Sequence, residues 1–213
     1  MKKFISTLAA IALTVVVFTS CAGSKPPAEQ TGFSNMSDYM KGSLIDSRDG
    51  KSYKILKLND QTWMAENLNY NADGSKCNKD QESNCQVYGR LYNWSTAMSA
   101  CPDGWHLPSD EEWQVLVDLA GGDKIAGIML KAASGWNKKG NGADIVGFST
   151  LPGGYGSSDF FIGVGDFGNW WSSSATEDNS DFAYRRHMTY AGEHVLRSRN
   201  LKSELLSVRC LLD

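Results

Sequence analysis

The chain has no excess of positive charge. Its 21 Lys and Arg face 24 Asp and Glu, a net charge of −3 with a pI near 5.6. A nucleic-acid partner, which selects a strongly basic surface, is not expected. Histidine is scarce, at three residues. No Cys-x-x-Cys occurs, and His106, His187 and His194 stand at no ligand spacing from a cysteine, so a zinc site is not expected. Phosphate-cradling glycine loops are missing. So are His-Glu-x-x-His and Gly-x-Ser-x-Gly, which removes the commonest hydrolase signatures. Proline is low, at five residues. Long apolar runs are absent after the first twenty residues, and a mean hydropathy of −0.36 excludes a polytopic membrane protein.

What is abundant is glycine, 21 of 213 residues, together with 11% aromatics including seven Trp. Glycine is commonly about 7%. With 41% hydrophobic and 21% charged residues, the chain has the composition of a folded protein. The surplus of glycine and aromatics points to a loop-rich domain with strands.

Met1-Lys2-Lys3 is a short positive start, and Phe4 to Phe18 is an apolar run of 15 residues broken only by Ser6, Thr7 and Thr14. A span of the hydrocarbon core needs about 20 residues. The run therefore reads as the core of a secretory signal, 1–20. It ends Phe18-Thr19-Ser20-Cys21, small residues before a cysteine. This resembles the lipobox of bacterial lipoproteins, with Phe18 where leucine is usual. The resemblance implies that Cys21 becomes the first mature residue and carries lipid, including a palmitate-type chain. Each buried CH2 contributes about 0.8 kcal/mol to membrane binding. The expected location is the cell envelope, at an outer membrane and facing the periplasm or the exterior. Residues 21–42, rich in small, polar and Pro residues, form a linker after the anchor. Residues 43–213 form one domain.

Four cysteines remain: Cys77, Cys85, Cys101 and Cys210. An even count in an exported chain implies two disulfides, with three possible pairings. Cys77 and Cys85 bracket a polar segment, Asn78 to Asn84, with nothing to bury. Pairing them pins that loop and leaves Cys101 with Cys210.

Tyr53 to Leu58 alternates and turns through Asn59-Asp60 into Gln61-Thr62-Trp63-Met64, a hairpin. Trp94, Ala97, Met98 and Cys101 share one helical face, and Pro102-Asp103-Gly104 ends that helix. Ser109 with Glu112 three residues later is a capping box. Trp113, Leu116, Val117 and Ala120 form the apolar face behind it, and Gly121-Gly122 stops the helix. Glu111 and Glu112 serve this helix start rather than a glycosidase pair. A further helix over Lys124 to Ala133 places Ile125, Ile128, Met129 and Ala132 inward. Residues 140–168 hold nine glycines and read as a long ordered loop region. Short strands follow at Trp170–Ser173, Phe182–Tyr190, Glu193–Ser198 and Leu205–Cys210. On the second of these, Ala183, Arg185, His187 and Thr189 share one face. Phe182, Tyr184, Met188 and Tyr190 share the other.

Asp46-Ser47-Arg48-Asp49-Gly50-Lys51-x-Tyr53 followed by Asp60 to Tyr70 resembles the opening of the Fibrobacter succinogenes major paralogous domain. Tyr88-Gly89-Arg90-Leu91-Tyr92-Asn93-Trp94 and Cys101-Pro102-x-Gly104-Trp105-His106-Leu107-Pro108-Ser109-x-x-Glu112-Trp113 resemble its middle. Ser207-Val208-Arg209-Cys210 resembles its end. That family implies an exported protein, often a lipoprotein. Trp94-x-x-Ala97-x-x-x-Cys101 with Gly104-x-His106-Leu107 is also similar to the first-helix signature of C-type lectin-like domains. There the helix cysteine pairs with the last one, which agrees with Cys101–Cys210. Leu107-Pro108-Ser109-x-x-Glu112-Trp113 with Val208-Arg209-Cys210 resembles formylglycine-generating enzymes, which share that core. The implied fold is α+β and C-type lectin-like: two or three helices, a small twisted antiparallel sheet and long Gly/aromatic-rich loops.

Formylglycine-generating enzymes hold copper through a C-terminal cysteine pair. Here only Cys210 lies in that part, so the activity is not carried over and no catalytic residue or cofactor is expected. Calcium-dependent lectins use Glu-Pro-Asn or Gln-Pro-Asp with Trp-Asn-Asp, and none is present. Asp166, Asn169, Asp178, Asn179 and Asp181 could offer hard oxygens, but in no known calcium spacing, so no metal is expected. Candidate ligand-binding residues are Tyr155, Asp166, Asn169, Trp170, Trp171, Arg185, Arg186 and His187. Aromatics stack on sugar rings or peptides, and arginine grips a carboxylate or sulfate bidentately. Trp170 and Trp171 are neighbours in a strand and so point to opposite faces. His106 reads as a hydrogen-bonded structural histidine. The expected function is non-enzymatic binding of a glycan or a surface protein by a lipid-anchored domain. The alternatives are a structural part of an envelope or fibre assembly and a degenerate enzyme on the same fold.

Overall fold

A computed structural model describes residues 39–213. The expected signal 1–20, the expected lipid-bearing Cys21 and the expected linker up to residue 38 lie outside the described residues. The strands are β1 Tyr39–Ile45, β2 Ser52–Leu58, β3 Gln61–Met64, β4 Trp105–His106, β5 Gly153–Gly156, β6 Phe161–Val164, β7 Phe167–Ala175, β8 Phe182–Thr189, β9 Leu196–Leu201 and β10 Leu211–Leu212. The α-helices are α1 Glu82–Tyr88, α2 Trp94–Ala100, α3 Asp110–Leu119 and α4 Ala126–Leu130. β1 begins inside the segment read as linker.

Among the described residues the helices are few and short, and the sheets are two. One has the order β1-β2-β3-β10-β4, and the other β6-β5-β7-β8-β9. The single small antiparallel sheet expected from the sequence is thus corrected. In the second sheet β5 pairs β7 in parallel, and the remaining pairs are antiparallel. The expected hairpin is β2–β3, with Leu58 opposite Gln61. Asn59 takes the left-handed turn conformation at φ 51°. β10 runs between β3 and β4, so the last strand closes onto the N-terminal hairpin.

β7 divides the interior. Trp170 packs with Trp63, Trp113, Phe148 and Leu116 on one side. Trp171 packs with Tyr92, Ala97, Leu206 and Val208 on the other. Both indoles are fully buried. Each buried N–H has an acceptor, as aromatic cores with polar handles require. Trp170 Nε1 donates to Asn67 Oδ1 at 2.9 Å and Trp171 Nε1 to the Tyr92 carbonyl at 2.7 Å.

The capping box of α3 is present in both directions. Glu112 N donates to Ser109 Oγ at 3.1 Å and Ser109 N to Glu112 Oε2 at 2.7 Å. Trp113, Leu116, Val117 and Ala120 are all buried, as the spacing predicts. In α2 the buried positions are Ala97 and Ala100, while Met98 is exposed. That helix starts at Trp94 because Asn93 caps it by accepting from Thr96 N at 2.9 Å. α4 is shorter than expected and buries Ala126, Gly127, Met129 and Leu130, leaving Ile125 outside.

Two loop expectations are corrected. The segment between Cys77 and Cys85 is a 3-10 turn, Asn78–Asp80, leading into α1, and Asn78 is buried. Its Nδ2 donates to the Gly153 carbonyl at 2.9 Å. The glycine-rich region contains β5 and β6. Gly154 has φ +71°, and a Cβ there would meet the Ile162 carbonyl at 2.3 Å, so strand pairing here demands glycine. The disulfides are Cys77–Cys85 and Cys101–Cys210.

Candidate functional site

Alternation along β8 sorts its Arg-Arg-His run onto two faces. Arg186 faces α3 and is fully buried. Its Nε donates to Asp110 Oδ1 at 3.0 Å, Nη1 to Gln114 Oε1 at 2.8 Å and Nη2 to the Asp110 carbonyl at 3.0 Å. It is a core brace and is withdrawn from the candidate ligand-binding set. Trp170 and Trp171 are withdrawn for the same reason, since neither has a free ring face.

Arg185 and His187 point to the other face and meet Asn169 on β7, Ser198 on β9 and Tyr155 on β5. Arg185 Nη1 donates to Asn169 Oδ1 at 2.5 Å and Nε to Ser198 Oγ at 3.0 Å. Its guanidinium lies 5.9 Å from the centre of the Tyr155 ring. Nη2 makes no hydrogen bond to the described residues, and no carboxylate there comes within 4.0 Å of this arginine. Asn169 itself is buried and donates to the Gly154 carbonyl at 3.3 Å, which fixes its acceptor toward Arg185. Tyr155 packs edge-on against Phe160 at 6.3 Å, and Phe160 is 42% exposed. Four sequence-predicted residues, Tyr155, Asn169, Arg185 and His187, thus form one half-buried patch. Asp166 does not join it. It sits in the β6–β7 turn, where its Oδ1 accepts from Asn137 Nδ2 at 3.1 Å.

Charge in this patch follows from burial. Burial pulls the Arg185 pKa below its usual value, opposed by Tyr155 and Glu204. Burial, aided by the Arg185 charge, lowers His187 to about 4. His187 is therefore neutral near pH 7. Its Nδ1 lies 3.2 Å from Ser198 Oγ. Since that oxygen already accepts from Arg185, its proton goes to Nδ1. A histidine with a depressed folded pKa is neutral in the fold and charged in the unfolded chain between about pH 4 and 6.5. Its contribution is complete above that window and is lost as pH falls through it. His106 has the opposite sign: burial lowers its pKa, but Asp213 and Glu112 outweigh that and raise it. Its contribution is complete below about 6.5 and is lost above. In urea titrations across pH, His187→Gln is expected to reduce the acid-side slope and His106→Gln the alkaline-side slope. Equal slopes in the wild type and both variants would refute this assignment.

The polar residues Asp178, Asn179 and Asp181 lie in the β7–β8 turn, where Asp178 and Asn179 are engaged by other protein groups. Asp178 pairs with Arg199 at 2.5 Å, and Asn179 Oδ1 accepts from Asp181 N at 2.9 Å. Among the described residues the one group of three metal-type ligands that closes is Cys77, Glu82 and Cys85, within 4.8 Å. Both sulfurs there are tied in a disulfide, so neither is a thiolate.

A cavity of about 510 Å³ lies elsewhere, between the β2–β3 hairpin, the end of α1 and the loops leading to β5. None of the eight sequence-predicted residues lines it. Arg209 does, and it was missed. Its signal was a lone charge inside the apolar run Leu205 to Leu212, which marks a buried cation. Asn67 and Asn69, also in the lining, are read only as part of the opening motif of the resemblance and given no site role.

The segments of the sequence resemblance build much of the cavity, which takes Tyr53, Asn67, Asn69, Tyr88 and Arg209 from them, whereas the Arg185 patch lies outside them. Asn67 Oδ1 accepts from Trp170 and from Arg209, joining the opening motif to β7 and to the chain end. The family model of the Fibrobacter succinogenes major domain matches residues 56–211. No curated protein and no solved structure matches the chain. From the hairpin to the closing strand, the chain belongs to the Fibrobacter succinogenes major domain family.

Proposed function

We propose that this chain is a lipid-anchored envelope protein that displays a non-enzymatic, C-type lectin-like domain for binding a glycan or a surface protein through acidic groups. The lectin-like reading is supported by the last strand closing onto the N-terminal hairpin and by Cys101–Cys210 joining the end of α2 to that strand. The observation that carries the binding reading is Arg185. It is half-buried, fixed by two neutral acceptors, open at Nη2 and beside an aromatic pair. A guanidinium held in this way is preorganised for a carboxylate or sulfate. His187 argues against an acid–base role. With a pKa near 4 it is a weak base at neutral pH, and its Ser198 partner already accepts from a cation.

The test is binding of the full-length protein to immobilised neutral, uronate-bearing and sulfated saccharides and to envelope proteins, at low and high salt. Acidic ligands are expected to bind, more weakly as salt rises. Arg185→Ala is expected to weaken them about 10- to 100-fold, the size of one charged hydrogen-bonding partner. Folded protein that binds nothing in the panel, or binds equally well without Arg185, would remove this reading.

A further inference from the structure

The cavity beside α1 holds two unmet polar demands that no described residue answers. The first is Arg209, which forms its floor and is 1% exposed. Nε donates to Asn67 Oδ1 at 3.0 Å, Nη2 to the Ser149 carbonyl at 3.0 Å and Nη1 to the Phe148 carbonyl. All three acceptors are neutral, and no carboxylate among the described residues comes within 4.0 Å. Guanidinium carries five N–H donors, so two are unused. A buried cation is normally paired, because desolvation is otherwise uncompensated. Here burial instead pulls its pKa down to about 9.

The second is Asn69 Oδ1, a buried acceptor in the lining without a hydrogen-bond partner. Buried polar atoms are rarely left so, and each exception calls for a donor. The Tyr53 hydroxyl, also in the lining, accepts from Asn69 N at 3.0 Å, and its own proton has no acceptor among the described residues.

The two carboxylates in the lining are already engaged. Glu66 accepts from Lys54 N at 2.8 Å and pairs with its Nζ at 3.3 Å. Asp144 accepts from Ser149 N at 2.8 Å and Oγ at 2.6 Å. They leave the cation on the floor without a carboxylate partner, and since Lys51 and Lys54 in the same lining are themselves paired, with Asp49 at 2.7 Å and Glu66 at 3.3 Å, a single anionic charge is what the floor calls for. A volume near 510 Å³ falls within the range of small-molecule sites.

We propose that this cavity is a second binding site, distinct from the Arg185 patch, for a small monocarboxylic acid that also carries a hydroxyl or ammonium donor. The carboxylate goes to Arg209 and the donor to Asn69 Oδ1. A sugar acid and an amino acid share this chemistry. The test is calorimetric titration of the full-length chain with glucuronate, galacturonate, alanine and glutamine, and with the amide of each acid that binds. At least one acid is expected to bind, and its amide about 10-fold more weakly or not at all. Which arm binds identifies the source of the acid.

Asn69→Ala removes an acceptor that has no partner, so it is expected to weaken that ligand about 10-fold with an unchanged melting temperature. Ser134→Trp, at an exposed position of the lining, is expected to abolish binding in a folded protein. Arg185→Ala is expected to leave it unchanged, which keeps this site separable from the one proposed above. No binding by any acid, equal binding by acid and amide, or binding unaffected by both Asn69→Ala and Ser134→Trp would overturn the proposal.

Discussion

Replacing Cys101 and Cys210 together by alanine is expected to cost about 4–5 kcal/mol of folding stability, while the same change at Cys77 and Cys85 is expected to cost about 2.5 kcal/mol. The difference comes from the unfolded chain. A bridge across 109 residues removes far more chain freedom than one across 8. Cys210 and Cys85 are both buried, so the packing loss is of similar kind in the two variants. Urea unfolding monitored by Trp fluorescence measures both. A domain of this size has about 5–15 kcal/mol to lose, so the first variant is expected to lie close to its unfolding threshold at 37 °C.

The position of the long bridge adds a local expectation. β10 has two residues, and its register with β3 is a single pair, Leu211 with Trp63. So short a strand does not hold itself. It is held from the preceding residues, where Met64 N donates to the Cys210 carbonyl and Leu68 N to the Val208 carbonyl, both at 2.9 Å. Loss of the bridge is therefore expected to raise hydrogen exchange first at Met64 and Leu68, ahead of α3. A smaller loss at Cys101–Cys210 than at Cys77–Cys85, or uniform exchange, would show that the chain end is secured by packing alone.

What the sequence shows of this fold is its local chemistry. The Asn-Asp turn of β2–β3 and the Ser109–Glu112 box are each complete within four residues, and both form as written. Alternation along β8 separates Arg185 from Arg186, but it does not say which face is dry. That depends on Asp110, 76 residues away. The same holds for the Trp pair: opposite faces are legible, and cover on both sides requires two cores built from distant segments. Polar Asn78 reads as loop because its partner, the Gly153 carbonyl, belongs to a strand hidden among glycines. The Arg185 patch was partly legible because Arg185 and His187 share a strand face, while Asn169, Tyr155 and Ser198 arrive from three other strands. The Arg209 cavity was not legible, since its walls come from five separated segments and its chemistry lies in what those segments leave unpaired.

Asp110→Ala is expected to cost about 3–5 kcal/mol, the usual result of stranding a buried charge. Asp110 is in the first turn of α3, where the helix end favours an anion. Its carboxylate receives Arg186 at 2.8 Å and Arg197 at 2.5 Å, and its backbone N donates to Ser174 Oγ at 3.0 Å. Arg197 is 47% exposed and can turn to water, so Arg197→Ala is expected to cost less than about 1 kcal/mol. Arg186 has no such exit. Without the Asp110 carboxylate it keeps two neutral acceptors, Gln114 at 2.8 Å and the backbone carbonyl of position 110 at 3.0 Å, and a distant Asp123 at 3.8 Å. If the loss comes from an uncompensated charge rather than from a valuable pair, Asp110→Leu with Arg186→Met restores stability to within about 1–2 kcal/mol of the wild type. Failure of the double variant to recover would show that the ion pair itself stabilises the fold. Because Arg185 leans on the opposite face of β8, acidic-ligand affinity of the Asp110→Ala protein, measured well below its melting point, is expected to match the wild type. One strand then carries a structural arginine toward α3 and, on its other face, the arginine proposed to bind acidic groups, and substitutions at Asp110 and Arg185 test stability and the proposed recognition separately.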